Sequence, residues 1–142
     1  MIMSRMNMMS MLLGAMMVLS SCGEDEPARM EWDVAAVPAD NFETISSPDY
    51  HPSVLINAHA GAGVVTVTCT NFSDVYFDYA GSATTQISEA CGFTLTKTAC
   101  NVLTLTFDEF DGDEDASDQI SVWALDGNKP VYSSIGVRRH TL

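Results

Sequence analysis

Basic side chains are scarce in this chain of 142 residues: six Lys and Arg stand against 19 Asp and Glu, for a formal net charge of −13. A surface of that sign repels nucleic-acid phosphates and anionic lipid headgroups, which sets nucleic acid aside as a partner. There are four cysteines, yet no Cys-x-x-Cys pair occurs and no histidine stands at ligand spacing, so no zinc-type site is encoded. No apolar run reaches the roughly 20 residues a bilayer span needs. No segment keeps helical spacing over a convincing length, and there is no internal repeat. Catalytic patterns are missing as well. His51, His59 and His140 are scattered without identifiable triad partners, Gly81-Ser82-Ala83 lacks the nucleophile-elbow pattern, and no positional signal selects two carboxylates facing across a cleft.

The N-terminus does carry a pattern. Arg5 is the single charge in the first 21 residues, and Met8 to Leu19 is an apolar run broken only by Ser10. A basic n-region followed by a short apolar h-region is the order of a secretory signal, which is removed and takes no part in the fold. Leu19-Ser20-Ser21-Cys22 resembles a bacterial lipobox, and the resemblance implies that Cys22 is acylated and becomes the first mature residue. Glu24-Asp25-Glu26 follows at once. An acidic cluster in that position resembles the export signal of surface-exposed lipoproteins of the Bacteroidetes. Together these resemblances imply a chain held in the outer membrane by lipid, facing the cell exterior, since two or more acyl chains suffice for stable anchoring. The expected organisation is a signal peptide over 1–21, a lipidated cysteine and flexible acidic tether over 22–30, and one folded domain over 31–142.

Eight of the nine methionines and Arg5 leave with the signal, so the mature chain carries five basic and 19 acidic residues and a net charge of −14. Its length suits one domain, burying roughly two thirds of its unfolded surface. From residue 31 the hydrophobic pattern has period two. Trp32, Val34 and Ala36 share a parity, as do Val54, Ile56 and Ala58, then Val65, Val67 and Cys69, then Val75, Phe77 and Tyr79. Phe93 and Leu95 follow, then Leu103, Leu105 and Phe107, then Ile120, Val122 and Ala124, and Val131 to Val137 closes the series. Alternation with threonine and β-branched residues puts one face on a core and the other toward water, as in antiparallel sheet. Turn signals separate the runs, and Asp126-Gly-Asn-Lys-Pro130 between two alternating segments marks a hairpin.

The expected fold is therefore all-β: an immunoglobulin-like antiparallel β-sandwich of about seven to eight strands, with a small barrel as the alternative. Gly63-Val-Val-Thr-Val-Thr-Cys-Thr-Asn71 and the final hairpin also resemble the immunoglobulin-like modules, BACON type included, of Bacteroidetes surface proteins. In such a fold 63–70 is strand B, 92–97 strand D and 102–107 strand E. The resemblance then favours a Cys69–Cys100 disulfide, because the end of B lies beside the start of E, and it leaves Cys91 about a strand length away, roughly 20 Å. Three reduced, buried cysteines are the competing expectation.

Two features suggest binding. The acidic run Asp108 to Asp118 has the carboxylate density a hard cation such as calcium requires, with Asp111, Asp113 and Asp115 at alternate positions as candidate ligands. It is not an EF-hand loop, since counting from Asp111 puts Ala116 at the sixth position and Val122 at the twelfth. A solvated acidic loop is the simpler reading, and no other cofactor is indicated. Trp123, Tyr76 and Tyr132 fall out of phase with the core positions of their strands; if they face water they form a patch of the kind that stacks on sugars or anchors a protein, and the competing reading is that they fill the sandwich or lie on a covered face of a central strand. The functional expectation is a surface lipoprotein acting as a noncatalytic binding or accessory module for a glycan or a surface protein. A purely structural surface component and a small hydrolase are the alternatives.

Overall fold

A computed structural model describes residues 28–141. The signal, the lipobox and Cys22 lie outside these residues. The described part holds nine strands: β1 (Trp32–Val37), β2 (Phe42–Ser46), β3 (Val54–Ala58), β4 (Gly63–Cys69), β5 (Thr85–Ser88), β6 (Phe93–Ala99), β7 (Val102–Phe107), β8 (Ala116–Asp126) and β9 (Lys129–Arg139). They form two sheets, one of five strands in the order β1-β4-β7-β6-β5 and one of four in the order β2-β3-β9-β8. The molecule is an all-β sandwich, not a barrel. Among the described residues no helix is long and apolar enough to cross a membrane.

The period-two pattern explains the two layers. Val65, Val67 and Cys69 on β4, Leu103, Leu105 and Phe107 on β7, and Phe93 and Leu95 on β6 are buried on one inner face. Val54, Ile56 and Ala58 on β3, Ile135 and Val137 on β9, and Ile120, Val122 and Ala124 on β8 are buried on the other. Each such aliphatic side chain contributes about 1.5–3 kcal/mol relative to exposure, and the intervening threonines face outward. The segments expected as B, E and D are neighbours in that order as β4, β7 and β6. With β8 and β9 in the places of F and G, this is the immunoglobulin-like arrangement.

The structure departs from the expected pattern in several places. β3 and β9 pair in parallel, Val54 opposite Ile135 through Ala58 opposite Arg139, so the sandwich is not antiparallel throughout; the long path between them returns the chain in the same direction. The run Val75-Phe77-Tyr79 makes no strand, but a single bridge between Tyr76 and Trp123. The short strands β2 and β5, each with few apolar residues, escaped the pattern. At the N-terminal end Met30 is buried at 1 % exposure. Asn71 accepts a hydrogen bond from Glu31 N and donates one to the Arg29 carbonyl, so residues 29 to 31 are tied to the sandwich.

The Cys69–Cys100 disulfide is not formed; Cys69, Cys91 and Cys100 are free thiols, the first two buried and Cys100 exposed. B and E do adjoin, but the register sets Cys69 against Asn101: Cys69 N donates to Asn101 O at 2.9 Å and Asn101 Nδ2 donates to Cys69 O at 2.9 Å. Cys100 and Asn101 form the turn between β6 and β7, so Cys69 is buried on the inner face of β4 while Cys100 is exposed at the turn. With a thiol reagent on the native protein, Cys100 should react fast, and Cys69 and Cys91 only after denaturant is added. Equal fast reaction of all three would refute the burial. For Cys91 burial also pushes the thiol pKa up, slowing it further.

Candidate binding groove

Parity on the terminal hairpin builds the candidate site. Ile120, Val122 and Ala124 of β8 face the core, so Ser117, Gln119, Ser121, Trp123 and Leu125 are on the opposite side. The register sets Trp123 against Tyr132 and Leu125 against Pro130. Trp123 N and O exchange hydrogen bonds with Tyr76 O and N, at 2.8 Å each. They therefore point away from β9, which makes Trp123 and Tyr132 a narrow, non-hydrogen-bonded pair with side chains close together. The outer face is partly covered further along: His51 Nδ1 lies 3.2 Å from Ser134 Oγ, and Pro52 sits where a Cβ on Gly136 would meet it at 2.8 Å. The hairpin end stays open.

The local sequence Asp78-Tyr-Ala-Gly-Ser82 shapes the other wall. Asp78 accepts hydrogen bonds from Ser82 N at 3.3 Å and Ala83 N at 3.1 Å, and Gly81 N donates to Asp78 O at 3.2 Å. Gly81 has φ of 74°, a left-handed value that glycine adopts at low cost. This capped turn stops the segment after Phe77 and throws Tyr79 fully into solvent. The indole Nε1 of Trp123 donates to Asp78 O at 2.8 Å, and the Tyr76 and Trp123 rings stack with centroids 4.4 Å apart. Lys97 Nζ lies 4.7 Å from the Tyr76 centroid and pairs with Asp74 at 2.7 Å. The Lys97 hydrogen bond holds the Asp74 carboxyl below its ordinary pKa, whereas burial raises that of Tyr76. Trp123 and Tyr76 are thus half-buried, and Tyr132, at 72 % exposure, is the open ring of the three. The groove between these walls has a volume of about 570 Å³, with Phe77, Asp78, Tyr79, Trp123, Leu125 and Tyr132 among its lining residues.

The three aromatics expected as a patch are therefore brought together, while Tyr79, expected in the core, joins the site instead. Asp78, which the sequence reading passed over, holds the wall: backbone N–H groups, that of Ala83 foremost, keep its carboxyl below the ordinary value of 3.8. A carboxylate with a lowered folded-state pKa stabilises fully above its unfolded value, and that contribution is lost as pH falls through the lower folded value. The 78–83 turn should accordingly loosen only below about pH 3.8. The Trp123 indole N–H resonance, hydrogen-bonded within this turn, should shift over that range in the wild type and not in Asp78→Asn. An identical acid response in both would contradict the assignment.

The acidic run does not gather into a cation site. Among the described residues no group of three His, Cys, Asp or Glu could hold a metal ion. Asp111 and Asp113 are exposed, and Asp115 is engaged elsewhere, accepting from Thr141 N at 3.0 Å and lying 3.2 Å from His140 Nδ1. His140 also approaches Asn57 at 3.3 Å and stands 5.9 Å, centroid to centroid, from His59. The His51–Ser134 contact pairs a base with a hydroxyl, but Ser134 is buried at 1 % exposure and the other ring nitrogen of His51 faces Gln119.

The deepest polar group is one the sequence reading missed. Arg139 has no exposed surface. Its guanidinium donates to His59 O, Cys91 O, Gly92 O, Ala60 O, Gly61 O and Asp108 O at 2.5–3.4 Å. Phe107 and Phe110 lie 5.1 and 5.2 Å from its Cζ. It ties three connections together at the opposite end of β8 from the groove, leaving the hairpin end as the open surface. Its parity with Ile135 and Val137 was the available signal.

No family model matches the chain, and no curated protein matches it either. The chain is similar to one solved structure, an NMR structure of a protein from Bacteroides thetaiotaomicron, at 14 % identity over 73 % of this chain and 90 % of that one, with a TM-score of 0.49.

Proposed function

We propose that the chain is a lipid-anchored, noncatalytic binding module of the outer-membrane surface, and that its ligand, a glycan or a surface protein, sits in the groove between Tyr79 and Tyr132. The single observation that carries the binding reading is that groove, with exposed Tyr79, Tyr132 and Leu125 beside a stacked Trp123–Tyr76 pair. Clustered exposed aromatics mark ligand or partner sites more often than isolated ones do. The anchoring half rests on the lipobox and acidic cluster of residues 19–26. The His51–Ser134 pair does not favour a hydrolase, because its hydroxyl is out of reach of a substrate.

Binding is tested with the full chain in mild detergent on an array of host and dietary glycans, with calcium present and with it chelated. Saturable binding to one class that is lost in Trp123→Ala supports a glycan ligand. Binding unchanged in that variant moves the site elsewhere. Anchoring is tested separately by metabolic labelling with a palmitate analogue: label should be lost in Cys22→Ser, and retained label would refute it.

A further inference from the structure

The groove follows a strand edge that has lost its neighbour. β8 is terminal in its sheet, and among the described residues its outer edge is bridged at Trp123 alone. If the segment through Tyr76 continued in register, Asp78 and Tyr79 would lie against Ser121 and Ile120, but the capped turn at Asp78 ends it. Because Trp123 N and O point away from β9, the alternation of an antiparallel ladder directs the backbone groups of Ser121, Gln119 and Ser117 the same way. They point toward an unpaired strand position that meets the groove at Ser121, where the buried side chains of Phe77 and Val122 are among the lining residues.

The geometry points to β-strand addition at this edge: an extended, cationic segment of a partner protein, alternating basic and apolar residues, that pairs with Ser117–Ser121 and seats its apolar side chains in the groove. This inference rests on the reading of the groove as the ligand seat and narrows that ligand to a peptide. Main-chain hydrogen bonds to a free edge supply affinity in such complexes, and pockets for alternate side chains supply selectivity. Charge decides the chemistry of the guest. Asp118 lies within the free stretch and Asp78 lines the groove beside its Ser121 end, on a chain of net charge −13. Asp118 Oδ1 also accepts from Gln119 N at 2.8 Å, blunting the edge toward neutral strands in the way that protects natural sheet edges. A second copy paired across this edge would set carboxylate against carboxylate, whereas Lys or Arg on a guest strand would draw Asp118 off Gln119 N and pair with it.

The test titrates the full chain with synthetic peptides of about eight residues, long enough to span the edge at strand rise: one alternating lysine and valine, one alternating glutamate and valine. Amide exchange at Ser117, Gln119 and Ser121 is followed in the same samples. The lysine peptide should bind at least about tenfold more tightly than the glutamate peptide, as expected for steering by charge, and should slow exchange at all three amides. Ser121→Pro removes an outward N–H on an edge that tolerates proline, and should weaken the lysine peptide while leaving the melting temperature near that of the wild type. Should that variant not fold, the exchange data on the wild-type protein decide.

Equal binding of both peptides, or binding without amide protection, overturns strand addition. So do a dimer that forms without peptide, and protection of the Ser117 and Ser121 amides before any peptide is added, Gln119 N being already bonded to Asp118. A glycan that binds in a Trp123-dependent manner where neither peptide does overturns the peptide inference and leaves the groove as the seat. Absence of both peptide and glycan binding removes the groove reading with it.

Discussion

Replacing Arg139 with alanine should cost about 3–5 kcal/mol, the range for removing one partner of a buried charged network, and lower the melting temperature on the order of 15 °C. Among the described residues the guanidinium has no carboxylate partner; its charge is met by six backbone carbonyls and two aromatic faces. Alanine leaves carbonyls from three separate connections without donors, and a buried acceptor left unpaired costs about 1–3 kcal/mol. Set against a total stability of roughly 5–15 kcal/mol for a domain, the loss takes much of what holds the sandwich together. Arg139→Lys should recover only part of it, because a compact ammonium has three donors and cannot span the same carbonyls. Thermal unfolding checks both, and an alanine variant that melts within a few degrees of the wild type would refute the clamp.

Phe107→Ala should be nearly as damaging, costing about 3–5 kcal/mol by the behaviour of large-to-small changes in cores. The ring lies 5.2 Å from both Phe42 and Phe93, centroid to centroid, and beneath the Arg139 guanidinium at 5.1 Å. It therefore joins β7 to β2 across the two sheets, to β6 beside it, and to the buried cation. Since it shares that last contact with Arg139, the double variant should lose less than the two single losses combined, by about 0.5–3 kcal/mol. Denaturant titration of the two single variants and the double measures this. Strict additivity would show that the cation and the ring do not support each other.

Sequence alternation located β3, β4, β6 and β7 because each buries two or three apolar residues of one parity, and a one-residue slip would turn them toward water. It failed where local chemistry overrode the period. Val75-Phe77-Tyr79 alternates like a strand, yet the Asp78 carboxylate takes the N–H groups of Ser82 and Ala83 and turns the chain. That same turn exposes Tyr79 and opens the groove, so the error and the site share one cause. The cysteine pairing failed by one residue of register: the strand neighbours were right, but Cys69 meets Asn101. Arg139 was invisible for a different reason, because an arginine near a chain end reads as surface unless its parity is taken as seriously as that of a valine. The outward parity of Trp123 and Tyr132 was legible because they fell out of phase with core positions on β8 and β9, and that of Tyr76 because it alternates with buried Val75 and Phe77.

The central claim is that the open end of the β8–β9 hairpin holds a ligand. Tyr132 tests it with little structural interference, since at 72 % exposure it contributes little to the core. The measurement is calorimetric titration of the full chain, wild type and Tyr132→Ala, with the tightest binder from the glycan and lysine-peptide sets. An affinity loss of at least about tenfold at an unchanged melting temperature is expected of an aromatic at the centre of a binding surface. Equal affinity in the two proteins would place the ligand away from the groove.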